Sequence, residues 1–206
     1  MDLHRYLAFV VATSIMIASP GPTVILTIAH SISSGWKHGV TTVAGATLGI
    51  AVQLIVVVIG LASLLNLVAD AFEWLRWAGV AYLIYLGIKQ WRSESKPLDI
   101  DTSAVNKKNF FTQGLITTIV NPKSLIFIAA FLPQFIDTVR PIGIQYAFIV
   151  PTFLAITFVV TSAWALVAGK LRGLLKSEQA QKSVSRISGG LMILTGIGLA
   201  LARRIN

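Results

Sequence analysis

Long stretches almost without charged side chains fill most of this 206-residue chain. Between His38 and Asp70, for example, no side chain ionises. Soluble domains carry about 25% charged residues, whereas this chain carries 12% and is 55% hydrophobic. It therefore lacks the polar side chains that cover a surface in water, which excludes ordinary soluble, disordered and fibrous proteins.

Six of these stretches are candidate membrane-spanning helices, each of which needs about 17–25 apolar residues. They cover approximately 6–36, 39–69, 71–91, 109–136, 141–169 and 187–202. The sixth has 16 residues and needs the flanking arginine stems to reach both interfaces. None alternates polar and apolar residues as a barrel strand does. The sequence therefore predicts an all-α integral membrane protein with six transmembrane helices.

The chain divides once, at its longest polar segment. Residues 1–91 form an N-terminal three-helix half, 92–109 a cytoplasmic linker loop, and 110–206 a C-terminal three-helix half. Because three is odd, the two halves cross the membrane in opposite directions. This is the plan of a 3+3 inverted repeat, which many transporters share.

Basic residues predict the orientation. If the six helices alternate in direction, eleven of the 17 Lys and Arg residues lie in the loops after the first, third and fifth helices, and five lie on the other side. The positive-inside rule then places the eleven in the cytoplasm and both termini outside. Because the charge is spread over separate loops, it does not form a nucleic-acid-binding surface.

The first helices of the two halves are interrupted at matching places. Ser19-Pro20-Gly21-Pro22 lies near the middle of the first helix, and Asn121-Pro122-Lys123 near the middle of the fourth. Proline breaks or kinks a helix, and Ser or Asn before Pro is typical of an N-cap followed by the first helical residue. We therefore expect broken first and fourth helices whose second parts begin near the midplane. Kinks that serve only packing are the alternative.

Lys123 supports a binding site at these breaks. A charge near the bilayer centre costs at least about 2.5–3.5 kcal/mol and usually faces a polar cavity or a partner, and no Asp or Glu lies at that depth. Lys123 can meet a substrate carboxylate or be bonded to carbonyls freed at the breaks. Helix N-termini also suit an anionic group. The predicted substrate-binding residues are Ser19, Pro20, Gly21, Pro22, Thr23, Asn121, Pro122 and Lys123.

Three further polar residues, His30, Gln53 and Gln113, are candidates for a transport path or for coupling. For the two glutamines an interhelical hydrogen bond is an explanation at least as good, and a lone histidine near a helix end is more often an interfacial or hydrogen-bonded residue. Three scattered histidines and no cysteine cannot form a zinc or haem site. We therefore expect no metal, no cofactor and no catalytic residues, and hence no enzyme. The spacing of Gly45 and Gly49 indicates close packing of helices inside the bundle.

Several short motifs occur in a fixed order along the chain. They are Ser19-Pro20-Gly21-Pro22, Trp77-Ala78-Gly79, Ala81-Tyr82-Leu83, Leu86-Gly87, Asn121-Pro122-Lys123 and Phe131-Leu132-Pro133-Gln134-Phe135. Together they resemble the LysE/RhtB superfamily of amino-acid exporters over essentially the whole chain. The stretch from Ala71 to Arg92 is similar to the homoserine/threonine (RhtB) branch.

The resemblance implies an efflux transporter of the bacterial inner membrane for small neutral amino acids or derivatives, such as homoserine, threonine or leucine. It also implies alternating access driven by the proton gradient. Many members have an acidic residue and then Asn after Pro-Gly-Pro, whereas Thr23 and Val24 follow here. Any role of that acid must therefore be performed by another group. The expected partners are the amino-acid substrate and the lipid bilayer. The sequence does not decide whether the protein forms a homo-oligomer. A channel and a non-transporting membrane scaffold subunit are the alternatives.

Overall fold

The computed structural model is helical throughout the part of the chain that it describes. This part comprises residues 3–65, 69–92, 109–137 and 140–170, together with seven separate positions between 183 and 197. The helices are α1 (Leu3–Ala18), α2 (Pro22–Ser34), α3 (Trp36–Leu65), α4 (Ala69–Arg92), α5 (Phe110–Ile119), α6 (Pro122–Phe131) and α7 (Ile142–Lys170), and a short 3-10 helix, Leu132–Phe135, continues α6.

Both predicted helix breaks are confirmed. The axes of α1 and α2 differ by 58°, and those of α5 and α6 with its 3-10 continuation by 54°. Pro22 and Pro122 are the first residues of α2 and α6. Because proline disfavours helical geometry in the residue before it, Gly21 and Asn121 are both extended and separate the two parts of each broken helix.

The described residues contain two to four candidate membrane spans. The helices α3 and α7 are each long and apolar enough to cross a bilayer, and each bent pair passes the same test if it counts as one span. The predicted third span coincides with α4. The linker 93–108 and nearly all of the sixth stretch lie outside the described residues. The count of six spans and the inverted repeat therefore stay predictions.

Glycines bring α3 and α5 into close contact. A Cβ atom at Gly45 would overlap the carbonyl oxygen of Phe111, and one at Gly114 would overlap that of Thr42. A Cβ atom at Gly49 would lie 2.8 Å from Cβ of Thr118. These contacts confirm the predicted internal packing through Gly45 and Gly49, since the two backbones approach too closely for any side chain between them.

Two apolar clusters hold the helices together. The larger cluster joins α1, α3, α6 and α7 and includes Phe9, Phe127, Phe131 and Phe153. The smaller one joins α2 to the carboxyl-terminal part of α7. Large apolar side chains also cover the outside of the helices, among them Leu7, Val11, Ile55, Val56, Ile116, Phe148 and Val159. Such an apolar exterior suits a lipid environment and not water.

Candidate functional site

A small, partly open cavity of about 80 Å³ lies where the two helix breaks meet. Its polar lining residues are Ser19, Thr23, Thr118, Asn121, Lys123, Ser124, Thr157 and Thr161. The remaining lining residues are Met16, Ile17, Gly21, Val24, Ala46, Ile50, Phe127, Ile128 and Phe153. Polar and apolar residues from both breaks thus line the same cavity.

Five of the eight predicted site residues line this cavity: Ser19, Gly21, Thr23, Asn121 and Lys123. The three prolines are not among the lining residues. Pro20 is buried, whereas Pro22 and Pro122 are exposed on the outside of the breaks. The prolines therefore shape the backbone at the site, and their neighbours present polar groups to the cavity.

Lys123 reaches from the second break to the first. Its Nζ donates a hydrogen bond to the carbonyl oxygen of Ser19 at 3.2 Å and lies 3.4 Å from the Ser19 hydroxyl. In this conformation the lysine is therefore satisfied by a carbonyl freed at a break, which is the second of the two alternatives for its partner. Lys123 is the one charged residue among the described residues that line the cavity.

The two half-helix N-termini at the cavity are not equivalent. Asn121 caps α6 as predicted, because its Oδ1 accepts a hydrogen bond from the Lys123 amide at 3.0 Å. The expectation that Ser19 is an N-cap followed by a helix from Pro20 is wrong. The Ser19 amide instead bonds carbonyls at the end of α1. Pro22 holds Gly21 extended, so α2 begins at the second of the two prolines, Pro22. Gly21 is its N-cap, and no described side chain caps this helix.

Hydroxyl groups from both halves meet at the cavity. Thr23 Oγ1 lies 3.1 Å from Thr118 Oγ1, a contact that joins the two breaks. On α7, Thr157 and Thr161 face the cavity one helical turn apart. Sequence reasoning missed Thr118, Thr157 and Thr161. The i, i+4 spacing on α7 is the one signal that could have indicated a polar face.

The three candidates for a path or for coupling do not line the cavity. His30 is fully buried, with Nδ1 2.6 Å from Thr42 Oγ1 and its ring 4.9 Å from that of Phe110. The side chain of Gln113 lies close enough to interact with His30. Gln53 is also buried, and its Nε2 donates to the carbonyl oxygen of Thr118 at 2.7 Å. In this conformation His30 and Gln53 thus bond neighbouring helices.

Comparison with known proteins gives consistent results over the full length. Residues 14–203 match the LysE type translocator family. The chain is 33% identical to a homoserine/homoserine lactone efflux protein of Salmonella typhimurium and 32% identical to the protein of the same name in Salmonella typhi, each over 98% of this chain and 99% of the relative. It is 28% identical to an uncharacterized membrane protein of Vibrio cholerae, over 98% of this chain and all of the relative. No solved structure matches the chain.

Proposed function

Because the chain belongs to the LysE type translocator family, we propose that it exports small neutral amino acids or their derivatives through the cavity between its two helix breaks. Members of this family are translocators, so the protein is a transporter and not an enzyme. Two relatives that it matches over nearly their full length are named for efflux of homoserine and homoserine lactone. Homoserine, threonine and leucine-like compounds are therefore the proposed substrates.

The observation that carries this proposal is the position of Lys123 in the cavity. Its present partner is the Ser19 carbonyl, which is neutral. The lysine's bond to this carbonyl carries a full charge on the donor alone, whereas a substrate carboxylate would add the opposite charge on the acceptor, form an ion pair with Lys123 and displace that carbonyl. The N-terminus of α2 adds free amide groups and a partial positive charge beside Gly21. We therefore assign the carboxylate subsite to Lys123 and the start of α2.

The groups next to this subsite suit the rest of a small neutral amino acid. The hydroxyls of Thr23 and Thr118, together with the carbonyl of Ser19, can accept hydrogen bonds from an α-ammonium group. Ile50 and Phe153 are apolar lining residues that would accept the side chain. A second positive charge on the substrate would meet no carboxylate among the described lining residues. This arrangement favours neutral over dibasic amino acids, because an unpaired charge in such a site is costly.

For the transport cycle we propose alternating access driven by the proton gradient. The protein would lie in the bacterial inner membrane as a six-span inverted repeat, with both termini outside. Phe9, Phe131 and Phe153 support alternation, since they pack together on the side of the cavity toward the N-terminus of α1. The cavity thus has a thick apolar closure on one side, as one state of an alternating carrier requires.

Counterflow in proteoliposomes tests the function and the carboxylate subsite together. Vesicles are preloaded with homoserine, threonine, leucine or homoserine lactone, and uptake of the labelled compound is followed for wild type and Lys123→Ala. Homoserine lactone lacks the free carboxylate. We therefore expect Lys123→Ala to weaken the affinity for homoserine about 10–100-fold, the value of one charge-assisted hydrogen bond. The affinity for the lactone should change much less. The exposed Lys37 provides the matched control, Lys37→Ala.

The outcomes separate the alternatives. Counterflow by wild type establishes a carrier, and its response to an imposed pH gradient tests the proton coupling. Flux that neither saturates nor shows counterflow would indicate a channel. A folded protein without flux that copurifies with a stoichiometric partner would indicate a scaffold subunit. Equal losses for homoserine and its lactone would contradict the assignment of Lys123 to the carboxylate.

A further inference from the structure

Each helix break frees backbone carbonyls that need hydrogen-bond donors. The last carbonyls of a helix have no partner within it, and inside a membrane there is no bulk water to bond them. At the first break these carbonyls include Ala18 and Ser19, and at the second Thr118 and Ile119. At the second break the amides of Val120 and Asn121 also donate to the Thr118 carbonyl, so side-chain donors add to the backbone bonds that shape the break.

At the second break one side chain donates to three carbonyls. Two of them accept other bonds as well: that of Thr118 from the Asn121 amide, and that of Asn121 from the Leu125 amide and the Ser124 hydroxyl. Nε2 of Gln53 lies 2.7 Å from the carbonyl oxygen of Thr118, and 3.2 Å from those of Ile119 and Asn121. Gln53 is only 2% exposed, so water does not compete for this amide. An amide nitrogen has two protons, and the three carbonyls share them.

At the first break the corresponding donor comes from a tryptophan. Nε1 of Trp164 donates to the carbonyl oxygen of Ala18 at 3.2 Å. The neighbouring carbonyl, that of Ser19, is bonded by Lys123. An indole N–H has no acceptor function, so Trp164 can only hold this carbonyl and cannot bind a second donor.

Each of these two donors bonds the helix break in the other half of the chain. Gln53 lies on α3 and bonds the break between α5 and α6, whereas Trp164 lies on α7 and bonds the break between α1 and α2. Neither side chain lines the cavity. Each acts on the cavity only through the backbone that it bonds.

We infer that Gln53 and Trp164 are a reciprocal pair of positioning residues, each of which holds the helix break of the other half in the shape that lines the cavity. Movement of α3 or α7 is thereby transmitted to the opposite break. This inference rests on the proposed function, because it assigns the two residues a role at the same transport site.

The test removes each donor with little change of size. Gln53→Met keeps the length of the side chain, and Trp164→Phe removes the indole N–H. The controls are Gln134→Met, whose Nε2 bonds its own helical segment at Ala130, and Trp36→Phe, at an exposed residue. In homoserine counterflow we expect each test variant to raise KM about fivefold, the effect of one lost buried hydrogen bond. Both controls should keep the KM of wild type.

A second readout does not depend on transport. The chain has no cysteine, so Ser124→Cys and Thr23→Cys each introduce a single thiol beside one break. We expect Gln53→Met to raise the labelling rate of the Ser124→Cys thiol by a small thiol reagent, and Trp164→Phe to raise that of the Thr23→Cys thiol. The breaks open when their carbonyls lose these partners.

The two readouts distinguish failure of the inference from failure of the proposed function. Unchanged KM and unchanged labelling in both test variants would overturn the inference. A lower maximal rate with unchanged KM and unchanged labelling would also overturn the inference, because a lower rate alone reports only a smaller amount of folded protein. If the wild-type protein does not transport homoserine but the test variants are labelled faster, the positioning role is upheld and the proposed substrate is refuted. If Gln53→Met does not fold, the milder Trp164→Phe decides the outcome.

Discussion

Gly21 and Lys123 form a close contact between the two helix breaks. Gly21 has φ −137° and ψ −173°, an extended conformation that any residue adopts. Its lack of a side chain matters for another reason. A Cβ atom at this position would lie 3.3 Å from both Cδ and Nζ of Lys123. Glycine here leaves the space through which the lysine reaches Ser19.

Gly21→Ala should therefore disturb the site without disturbing the backbone. We expect the added methyl group to move the Lys123 ammonium away from the start of α2 and to raise KM for homoserine about fivefold, as for one weakened hydrogen bond. Gly143→Ala is the control, since nothing lies within 4 Å of a Cβ atom there. Counterflow titrations measure both variants. A Gly21→Ala protein with the KM of wild type would show that the lysine adjusts freely and that the contact is incidental.

At the scale of whole elements, the glycine contacts between α3 and α5 set the position of the second break. Gly45 and Gly49 on α3, and Gly114 on α5, allow these helices to touch backbone to backbone. This close approach also brings Gln53, on α3, within reach of the carbonyls at the end of α5. The packing motif and the polar contact therefore depend on each other.

Gly45→Ala should destabilise the bundle. Its Cβ atom would overlap the Phe111 carbonyl, which belongs to the backbone and cannot rotate away. Overpacking of this kind costs about 1–3 kcal/mol, so the thermal unfolding midpoint in detergent should fall by several degrees. On the same helix, Gly60→Ala meets nothing within 4 Å and should keep the midpoint of wild type or raise it slightly, because alanine favours a helix more than glycine does. Equal midpoints for both variants would mean that α3 and α5 separate at little cost.

At the scale of the whole molecule, the two sides of the cavity are closed unequally. Toward the N-terminus of α1, Phe131 stacks on Phe9 and Phe127 with ring centroids 6.0 Å and 4.5 Å apart, and Phe135 packs against this group. Beyond these rings Arg5 lies 3.9 Å from Asp137. The cluster on the other side consists of four buried residues and Trp164. Among the described residues, the thicker closure therefore lies on the side of the N-terminus.

Single-cysteine labelling tests this asymmetry. The Ser124→Cys thiol should be labelled by a membrane-impermeant reagent from the side opposite the N-terminus, the side that we propose to be cytoplasmic. Inside-out and right-side-out vesicles provide the comparison. Adding Phe135→Ala should increase labelling from the N-terminal side, because it removes a half-buried ring of the closure. Fast labelling from the N-terminal side without that change would contradict the proposed closure.

Much of the fold and part of the site follow from local properties of the sequence. Apolar length predicts helices that span a membrane, and Pro22 and Pro122 predict where two helices break, since each proline acts on its own residue and on the one before it. The same local reasoning placed Lys123 and Asn121 at a site, because a charge at that depth needs a polar surrounding. It misplaced the first N-cap because two prolines compete within four residues, and only the second begins α2.

Only the tertiary structure decided which groups meet across the chain. Ser19 and Lys123 are 104 residues apart, and Thr23 and Thr118 are 95 apart. Gln53 and Trp164 also find their carbonyl partners in the opposite half. Nothing local to these positions specifies such pairs, because they depend on the crossing of α3 and α7 with the two broken helices. The sequence by itself determined that the helices break and that a lysine lies beside one break. The packing of the two halves decided what that lysine touches and which side chains hold the breaks.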